Sequence, residues 1–520
     1  MQTKTITSAS TDTTLDQDQC YRALCAKDSR FDGTFFVGVA TTGIYCRPVC
    51  RVKTPRLSSC TFYPNASAAE AAGFRPCLRC RPELAPYALQ QNLAYAIWQR
   101  INAGALNHDG SMQQLALQVG LSPRQLQRLM QSHFGVTPIE LAQTARLLFA
   151  KKLLQETQLA MAELAYAAGF SSLRRFNALF LSQYGMAPSA IRRARSATAN
   201  ASTNNHAHPQ DHLTLRLAYR APFAWDSMLD YLAGRCIAGV EAIQTVRQQR
   251  FYVRSVQLTY QQQLQPQTLQ GWFSVSHLVG QHQVEVQIAA NLAPVLMTLL
   301  ARVRQQFDLD ANPAKVETHL GSDPQLALQI ERTPGLRVPG AFEPFELAIR
   351  AVLGQQISVA AATTLSARLV QRFGTCIVTP FDSITHHFPT SSQLALIDVD
   401  DLAQIGLPKT RATTVLALAR FAAAGGLEIA PGSSLEQTIA LLSSVAGIGD
   451  WTANYIALRA LRFSDAFPAG DLGLQKAAAQ GMDGATKKLT AAQLSAHAQR
   501  WSPWRGYAAL LLWHSLNNSK

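Results

Sequence analysis

The sequence predicts a multidomain protein, mainly α with α+β parts, and three observations predict it. First, 520 residues exceed what one hydrophobic core usually holds, so the chain divides into about three to five domains. Second, apolar residues recur at helical spacing from Tyr87 to Arg193 and again from about Leu292 onward. Third, residues 213–290 alternate apolar and polar positions with β-branched and aromatic enrichment, as in RFYVRSVQLTY and HQVEVQIAA, the pattern of antiparallel strands. Between the helical front and this β-rich stretch, residues 195–212 (RSATANASTNNHAHPQDH) almost entirely lack bulky apolar side chains and read as a flexible linker.

Charge separates the same two halves. The net charge is +14, and residues 1–200 hold 22 Lys and Arg against 11 Asp and Glu, a net of +11. The remaining 320 residues hold 25 against 22, a net of +3. A basic front points to a polyanion, most simply DNA, bound through counterion release. The amino terminus carries one Lys and no apolar core of a secretory signal, and no apolar run approaches 18 residues. A cytoplasmic protein working at the nucleoid, with no membrane contact, is expected.

Seven of the nine cysteines lie in the first 80 residues. Four of them form a C-x3-C pair, Cys46 and Cys50 in GIYCRPVCRVK, and a C-x2-C pair, Cys77 and Cys80 in GFRPCLRC. Two such pairs supply the tetrahedral thiolate set of one Zn²⁺, predicting a small zinc domain over about 16–84. The metal keeps sulfur deprotonated at neutral pH, so the cluster is also a store of nucleophiles. A purely structural zinc knuckle is the competing reading. Arg47, Arg51, Lys53, Arg56, Arg75, Arg79 and Arg81 crowd the pairs and are expected to draw a large anion to them. Cys20, Cys25 and Cys60 lack paired spacing and are expected to stand outside the site.

Residues 111–134 and 161–181 each have the layout helix, glycine turn, helix. In the first, Gly120 makes the turn, Ser122 caps, Pro123 opens the second helix, and Arg124, Gln125, Gln127 and Arg128 face outward. In the second, Gly169 makes the turn, Ser171 or Ser172 caps, and Arg174, Arg175 and Asn177 project. One such unit can be any αα-hairpin. Two of them, joined by a helix over about 138–155 and both with basic second helices, fit major-groove reading better.

The pair of units resembles an AraC-type double helix-turn-helix DNA-binding domain, placed at 87–195. With TTGIYCRPVCR and YPNASAAEAAGFRPCLRCRPE ahead of it, residues 20–195 resemble the amino-terminal half of Ada-type adaptive-response proteins. The resemblance implies that Cys46 accepts a methyl group from a DNA methylphosphotriester while Cys50, Cys77 and Cys80 complete the zinc site. Loss of one negative charge on methylation would then strengthen DNA binding. It also places Thr42 and Lys53 at DNA-contacting positions, with Lys53 standing where the family has Arg. No PCHR motif is present, so direct reversal of O6-methylguanine is not expected.

In the back half, Gly447 and Gly449 of VAGIGDWTANYI mark a tight turn between helical segments, whose free N–H groups can grip a DNA phosphate. Asp471, in FPAGDLGLQKAA, reads locally as a helix N-cap. Together with LRVPGAFEPFELAIRAVLGQQISV, GLPKTRA and WSPWRGYAALLLW, these segments resemble the helix-hairpin-helix glycosylases of the AlkA type, 3-methyladenine DNA glycosylase II. The resemblance runs from about Leu213 to Asn517. It implies a β-rich amino-terminal subdomain (213–325) and an all-α glycosylase domain (326–517) after a linker at 196–212. Asp471 matches the catalytic aspartate, and Trp451 and Trp513 match base-pocket aromatics. Tyr455 shares a helix with Trp451, and Tyr231 is a further candidate for the pocket. Trp451 stands where strand-cutting relatives carry a nucleophilic Lys, which implies a monofunctional enzyme. Gln356 stands at the position of an apolar wedge.

The expectation is a DNA alkylation-repair protein joining a phosphotriester methyl acceptor and regulator to an alkylbase glycosylase. A methylation-sensing regulator whose glycosylase-like half only binds DNA is the alternative, and a glycosylase targeted by a structural zinc module is a third. Expected partners are double-stranded, alkylated and promoter DNA, and RNA polymerase; a monomer is expected.

Overall fold

A computed structural model describes residues 16–85, 93–108, 110–199, 211–262, 265–430, 432–480 and 488–517. The amino-terminal module is a four-stranded sheet of β1 (Phe36–Val39), β2 (Ile44–Cys46), β3 (Cys60–Tyr63) and β4 (Arg75–Pro76), in the order β3-β1-β2-β4. The parallel pairing of β2 with β4 sets Tyr45 opposite Pro76, and Cys77 N–H donates to the Tyr45 carbonyl at 3.0 Å. That register brings the two cysteine pairs, remote in sequence, to one end of the sheet.

The two helix-turn-helix units form as the sequence indicates. Helices Met112–Gln118 and Pro123–Phe134 are joined through Gly120 at φ +66°, and helices Met161–Ala167 and Leu173–Tyr184 through Gly169 at φ +86°. Such left-handed backbone suits glycine because no Cβ meets the neighbouring carbonyl. Ser122 and Gln125 form a capping box with Pro123 in the first turn, and Ser172, not Ser171, caps the other second helix. Both second helices bury one stripe, Leu126, Met130 and Phe134 in one and Phe176, Phe180 and Tyr184 in the other. A long central helix, Pro138–Glu156, lies between the units.

The back half opens with a five-stranded antiparallel sheet: β5 (His212–Ala218), β6 (Glu241–Val246), β7 (Gln249–Gln262), β8 (Gln265–Leu278) and β9 (Gln283–Ala289), in the order β5-β9-β8-β7-β6. A helical domain follows, with its own core of residues such as Leu353, Leu416, Ile456 and Leu512. Among the described residues no helix is long and apolar enough to cross a membrane.

The boundary between the halves differs from the expected one. Helix Pro188–Ala199 runs on through Arg195, β5 already starts at His212, and 200–210 of the expected linker lie outside the described residues. Nor are the halves separate cores. Leu147, Leu153, Leu164, Phe176 and Phe180 share one apolar cluster with Leu213, Leu215, Val286, Leu292 and Leu299.

Buried charge closes the same junction. On the central helix, Lys151 is fully buried, and its Nζ donates to the Cys77 carbonyl at 3.0 Å and to Glu83 at 2.8 Å. Next to it, Lys152 pairs with Glu156 at 3.0 Å and also donates to the Arg216 carbonyl on β5. Glu156 takes the Arg216 N–H at 3.0 Å and pairs with Arg81, which also bonds Glu83 at 3.1 Å. Burial alone would raise the Glu156 carboxyl, but Lys152 and then Arg81 outweigh it and hold it below the usual range. One polar cluster thus links the zinc module, the central helix and the β-rich subdomain.

Removing one partner of such a cluster leaves a desolvated charge, at a cost of about 3–5 kcal/mol. Glu156→Gln should therefore lower the unfolding free energy of the full chain by about that amount in urea titration. Asp400→Asn, which breaks the exposed Lys409–Asp400 pair, should cost less than about 1 kcal/mol. Equal effects of the two substitutions would contradict the assignment of the cluster as the joint.

Candidate functional site

Cys46, Cys50, Cys77 and Cys80 place their sulfurs within 4.8 Å of one another. Tetrahedral zinc with Zn–S near 2.3 Å sets sulfurs about 3.8 Å apart, so the donor set fits one Zn²⁺ with small adjustments. Backbone N–H groups support the sulfurs, Arg47 N to Cys80 Sγ at 3.4 Å and Cys80 N to Cys77 Sγ at 3.5 Å. Cys46, Cys50 and Cys77 are buried, and Cys80 is half-buried. Cys60 is buried on β3, outside the cluster, and donates to the Arg56 carbonyl at 3.3 Å; Cys20 and Cys25 also lie outside it.

The basic residues around the cluster divide into two groups. Arg47 is buried and paired with Asp32, its Nε 2.8 Å from Oδ1, while Arg81 belongs to the buried junction. The expectation that both meet an incoming anion is therefore corrected: burial makes each the counter-ion of an internal carboxylate. Arg51, Lys53, Arg56, Arg75 and Arg79 remain exposed, as does Thr42 in the turn between β1 and β2. On the second helices of the two helix-turn-helix units, Arg124, Arg128, Arg174 and Arg175 are all exposed.

The second site lies at the junction of the β-rich subdomain and the helical domain. Helices Leu435–Ser443 and Asp450–Arg459 flank a hairpin in which Gly447 takes φ +88°. A Cβ at Gly447 would stand 2.0 Å from Thr414 Oγ1, so only glycine fits this turn. Nothing lies within 4 Å of a Cβ position at Gly449, which leaves the helix N-terminus open to a phosphate. Gln356 is exposed at φ +57° on the turn after helix Pro344–Leu353. Its neighbour Gln355, which the sequence reading passed over, braces that turn. Gln355 Nε2 donates to the Gly447 carbonyl at 2.9 Å and to Thr452 Oγ1 at 3.0 Å, and Arg411 donates to the Gln355 carbonyl at 2.8 Å. Side-chain hydrogen bonds therefore join the Gln356 turn to the hairpin.

Asp471 begins helix Leu472–Gln480, its Oδ1 accepting the Leu474 N–H at 2.9 Å. That bond caps the helix, and the carboxylate has two further partners. Trp451 Nε1 donates to Oδ2 at 3.1 Å and Trp513 Nε1 donates to Oδ1 at 3.1 Å, fixing the carboxylate between two indoles. Gly473 leaves room for this, because a Cβ there would sit 3.0 Å from Asp471 Oδ1. Tyr455 stacks on Trp451 at 5.2 Å and 11° and meets Trp513 edge-on at 6.3 Å. Tyr231 closes the group from the β-rich subdomain, its hydroxyl 3.4 Å from that of Tyr455. All five side chains singled out for this pocket thus converge.

The structure adds a residue with no sequence signal of its own. Arg459, only 4 % exposed, donates to Tyr455 Oη at 2.6 Å and to the Pro339 carbonyl at 2.6 Å. In sequence it is one more basic residue at a helix end. Burial tends to raise the Tyr455 phenol, but Arg459 and Arg235 override it and pull it down to about 7.

Comparison with known proteins matches four segments of the chain. The family models that match are the metal binding domain of Ada (19–83), a helix-turn-helix domain (115–194), the AlkA N-terminal domain (214–343) and the HhH-GPD superfamily base excision DNA repair protein (349–503). The probable bifunctional transcriptional activator/DNA repair enzyme AlkA of Mycobacterium tuberculosis is 38% identical over 97% of both chains. DNA-3-methyladenine glycosylase 2 of Escherichia coli is 35% identical over 58% of this chain and 96% of its own. The bifunctional transcriptional activator/DNA repair enzyme Ada of Escherichia coli is 41% identical over 24% of this chain and 35% of its own. With an Ada-type metal-binding module, a helix-turn-helix domain and an AlkA-type glycosylase in one chain, and that first relative matched end to end, the protein belongs to the family of bifunctional transcriptional activators and DNA repair enzymes.

Proposed function

We propose that the chain removes alkylated bases of the 3-methyladenine type from DNA with Asp471, and takes a methyl group from DNA methylphosphotriesters onto Cys46. The observation that carries the first activity is the Asp471 carboxylate fixed between the indoles of Trp451 and Trp513. A cationic alkylated purine, once extruded from the duplex, stacks against electron-rich rings by cation–π attraction. Trp451, Tyr455, Trp513 and Tyr231 provide those rings. As the N-glycosidic bond breaks, its electron pair leaves with the base and the sugar becomes oxocarbenium-like. The Asp471 carboxylate stabilises that charge and orients the attacking water. None of these five residues carries an amine, which supports hydrolysis without strand cutting. Gly447 and Gly449 hold the backbone, and Gln356 fills the space left by the extruded nucleotide.

At the other site, Cys46, Cys50, Cys77 and Cys80 would hold a zinc ion, which would keep the Cys46 sulfur deprotonated. The Cys46 sulfur attacks the methyl carbon, the C–O bond breaks, and its electron pair restores the charged phosphodiester. Cys50, Cys77 and Cys80 keep the cluster intact, and Thr42 and Lys53 position the backbone. One negative charge is lost from the protein face that meets DNA, so promoter binding through Arg124, Arg128, Arg174 and Arg175 strengthens. The working unit is a monomer at the nucleoid, with RNA polymerase as the partner of the promoter-bound form.

Asp471→Asn is nearly isosteric and keeps capping ability. It should slow base release in single-turnover assays by about 10²-fold or more while leaving duplex affinity nearly unchanged. Release at the unmodified rate would reduce Asp471 to a helix cap and place the catalytic group elsewhere, whereas no release by the unmodified protein would favour the DNA-binding-only alternative.

For the methyl acceptor, mass spectrometry after incubation with methylated DNA should locate one methyl group on Cys46. Cys80, the one ligand residue that is only half-buried, is the natural competitor. A methyl group on Cys80, or full transfer by Cys46→Ala, would overturn the assignment.

A further inference from the structure

The base pocket poses an electrostatic problem of its own. A site that takes a cationic base has a guanidinium buried at its rear. Arg459 donates to Pro339 O, Gly340 O and Tyr455 Oη, and none of these is a carboxylate. Its guanidinium lies 4.8 Å from the centre of the Tyr231 ring, and the Arg235 guanidinium lies 3.8 Å from the same centre. Arg350 approaches from helix Pro344–Leu353. Glu241, at the start of β6, is the carboxylate facing this group, and it is already engaged by Arg350 at 4.0 Å and by the Tyr252 hydroxyl. Asp471, the other carboxylate of the pocket, is held by the two indoles.

Guanidinium does not give up its proton in proteins, so burial cannot neutralise Arg459. An unpaired buried charge is costly, and the neighbour able to compensate it is the phenol that Arg459 touches. We propose that Tyr455 and Arg459 form an ionisable pair at the rear of the base pocket, in which the phenolate is the counter-ion of the guanidinium and makes the site selective for cationic bases. The proposal rests on the glycosylase reading above and adds the determinant of its substrate class.

With Tyr455 neutral, Arg459 and Arg235 repel a cationic base, opposed by Asp471 and by a Glu241 already engaged by Arg350 and Tyr252. With Tyr455 ionised, the ring group of the pocket carries a negative charge that offsets Arg459 and attracts that base, while a neutral base gains little. The low titration point of Tyr455 is consistent with this, and Tyr231 moves the opposite way, raised chiefly by burial. One of the two phenols ionises, and it is Tyr455, which accepts the Arg459 N–H.

The test uses the full chain and two readouts. Tyrosinate absorbance, followed from about pH 6 to about pH 9, should show a step near neutrality, well below the ordinary tyrosine range of about 10. The step should vanish in Tyr455→Phe, which keeps the ring, and move to higher pH in Arg459→Met. Across the same range, single-turnover release of cationic 3-methyladenine relative to neutral hypoxanthine should rise about tenfold in the unmodified protein and stay flat in Tyr455→Phe. Coincident absorbance curves for unmodified and Tyr455→Phe protein would overturn the proposal, as would an equal rise of the ratio in both. Should Arg459→Met not fold, Tyr455→Phe alone decides both readouts. Release of neither base, with the absorbance step present, would overturn the glycosylase reading and the specificity it carries, while confirming the ion pair.

Discussion

The arrangement of the molecule depends on the carboxylate of Glu156. It sits at the last turn of the central helix and receives a lysine of that helix, an arginine from the zinc module and a backbone N–H from the first strand of the β-rich subdomain. Three domains therefore meet at one desolvated anion. Apolar packing around it, from Leu147 to Leu299, supplies attraction without direction, whereas the ion cluster accepts one geometry. The residue following the last zinc ligand, Arg81, is itself in the cluster, and the carbonyl of the ligand Cys77 is held by Lys151. The zinc site and the glycosylase half are thus parts of one packed body and not beads on a string.

A similar economy governs the glycosylase site. Two indole N–H groups and one backbone N–H hold Asp471 still, so the same residue starts a helix and presents a fixed negative charge. Preorganised charge of this kind stabilises a developing cation without having to reorient during reaction. Gln355 braces its own surroundings in the same way, tying the turn that carries Gln356 to the Gly447 hairpin.

Much of this was legible in the sequence because it is written locally. Gly120, Ser122 and Pro123 specify a turn, a cap and a first helical turn within four residues. The cysteine spacing announces a metal site, and the Gly447–Gly449 turn announces a hairpin. Asp471 read as a cap by propensity and as a catalytic group by resemblance; it caps its helix and is held by two indoles. What the sequence hid is long-range. Lys151 and Lys152 look like solvent-facing residues until the fold supplies Glu83 and Glu156. Arg47 looks like part of a basic patch until Asp32 folds against it. The low-complexity stretch after Arg195 suggested independent halves, yet Phe176 and Leu215 share a core across it. Burial and pairing depend on contacts between distant segments, and no local pattern records them.

The central claim is that one chain performs both reactions on alkylated DNA. Its most direct test is a single incubation of the unmodified full-length protein with a duplex bearing methylphosphotriesters and 3-methyladenine, with free base and protein-bound methyl counted together. The account predicts one methyl group bound per chain at saturation and released base in molar excess over protein. Base release with no methyl on the protein, or methyl transfer with no released base, would contradict it.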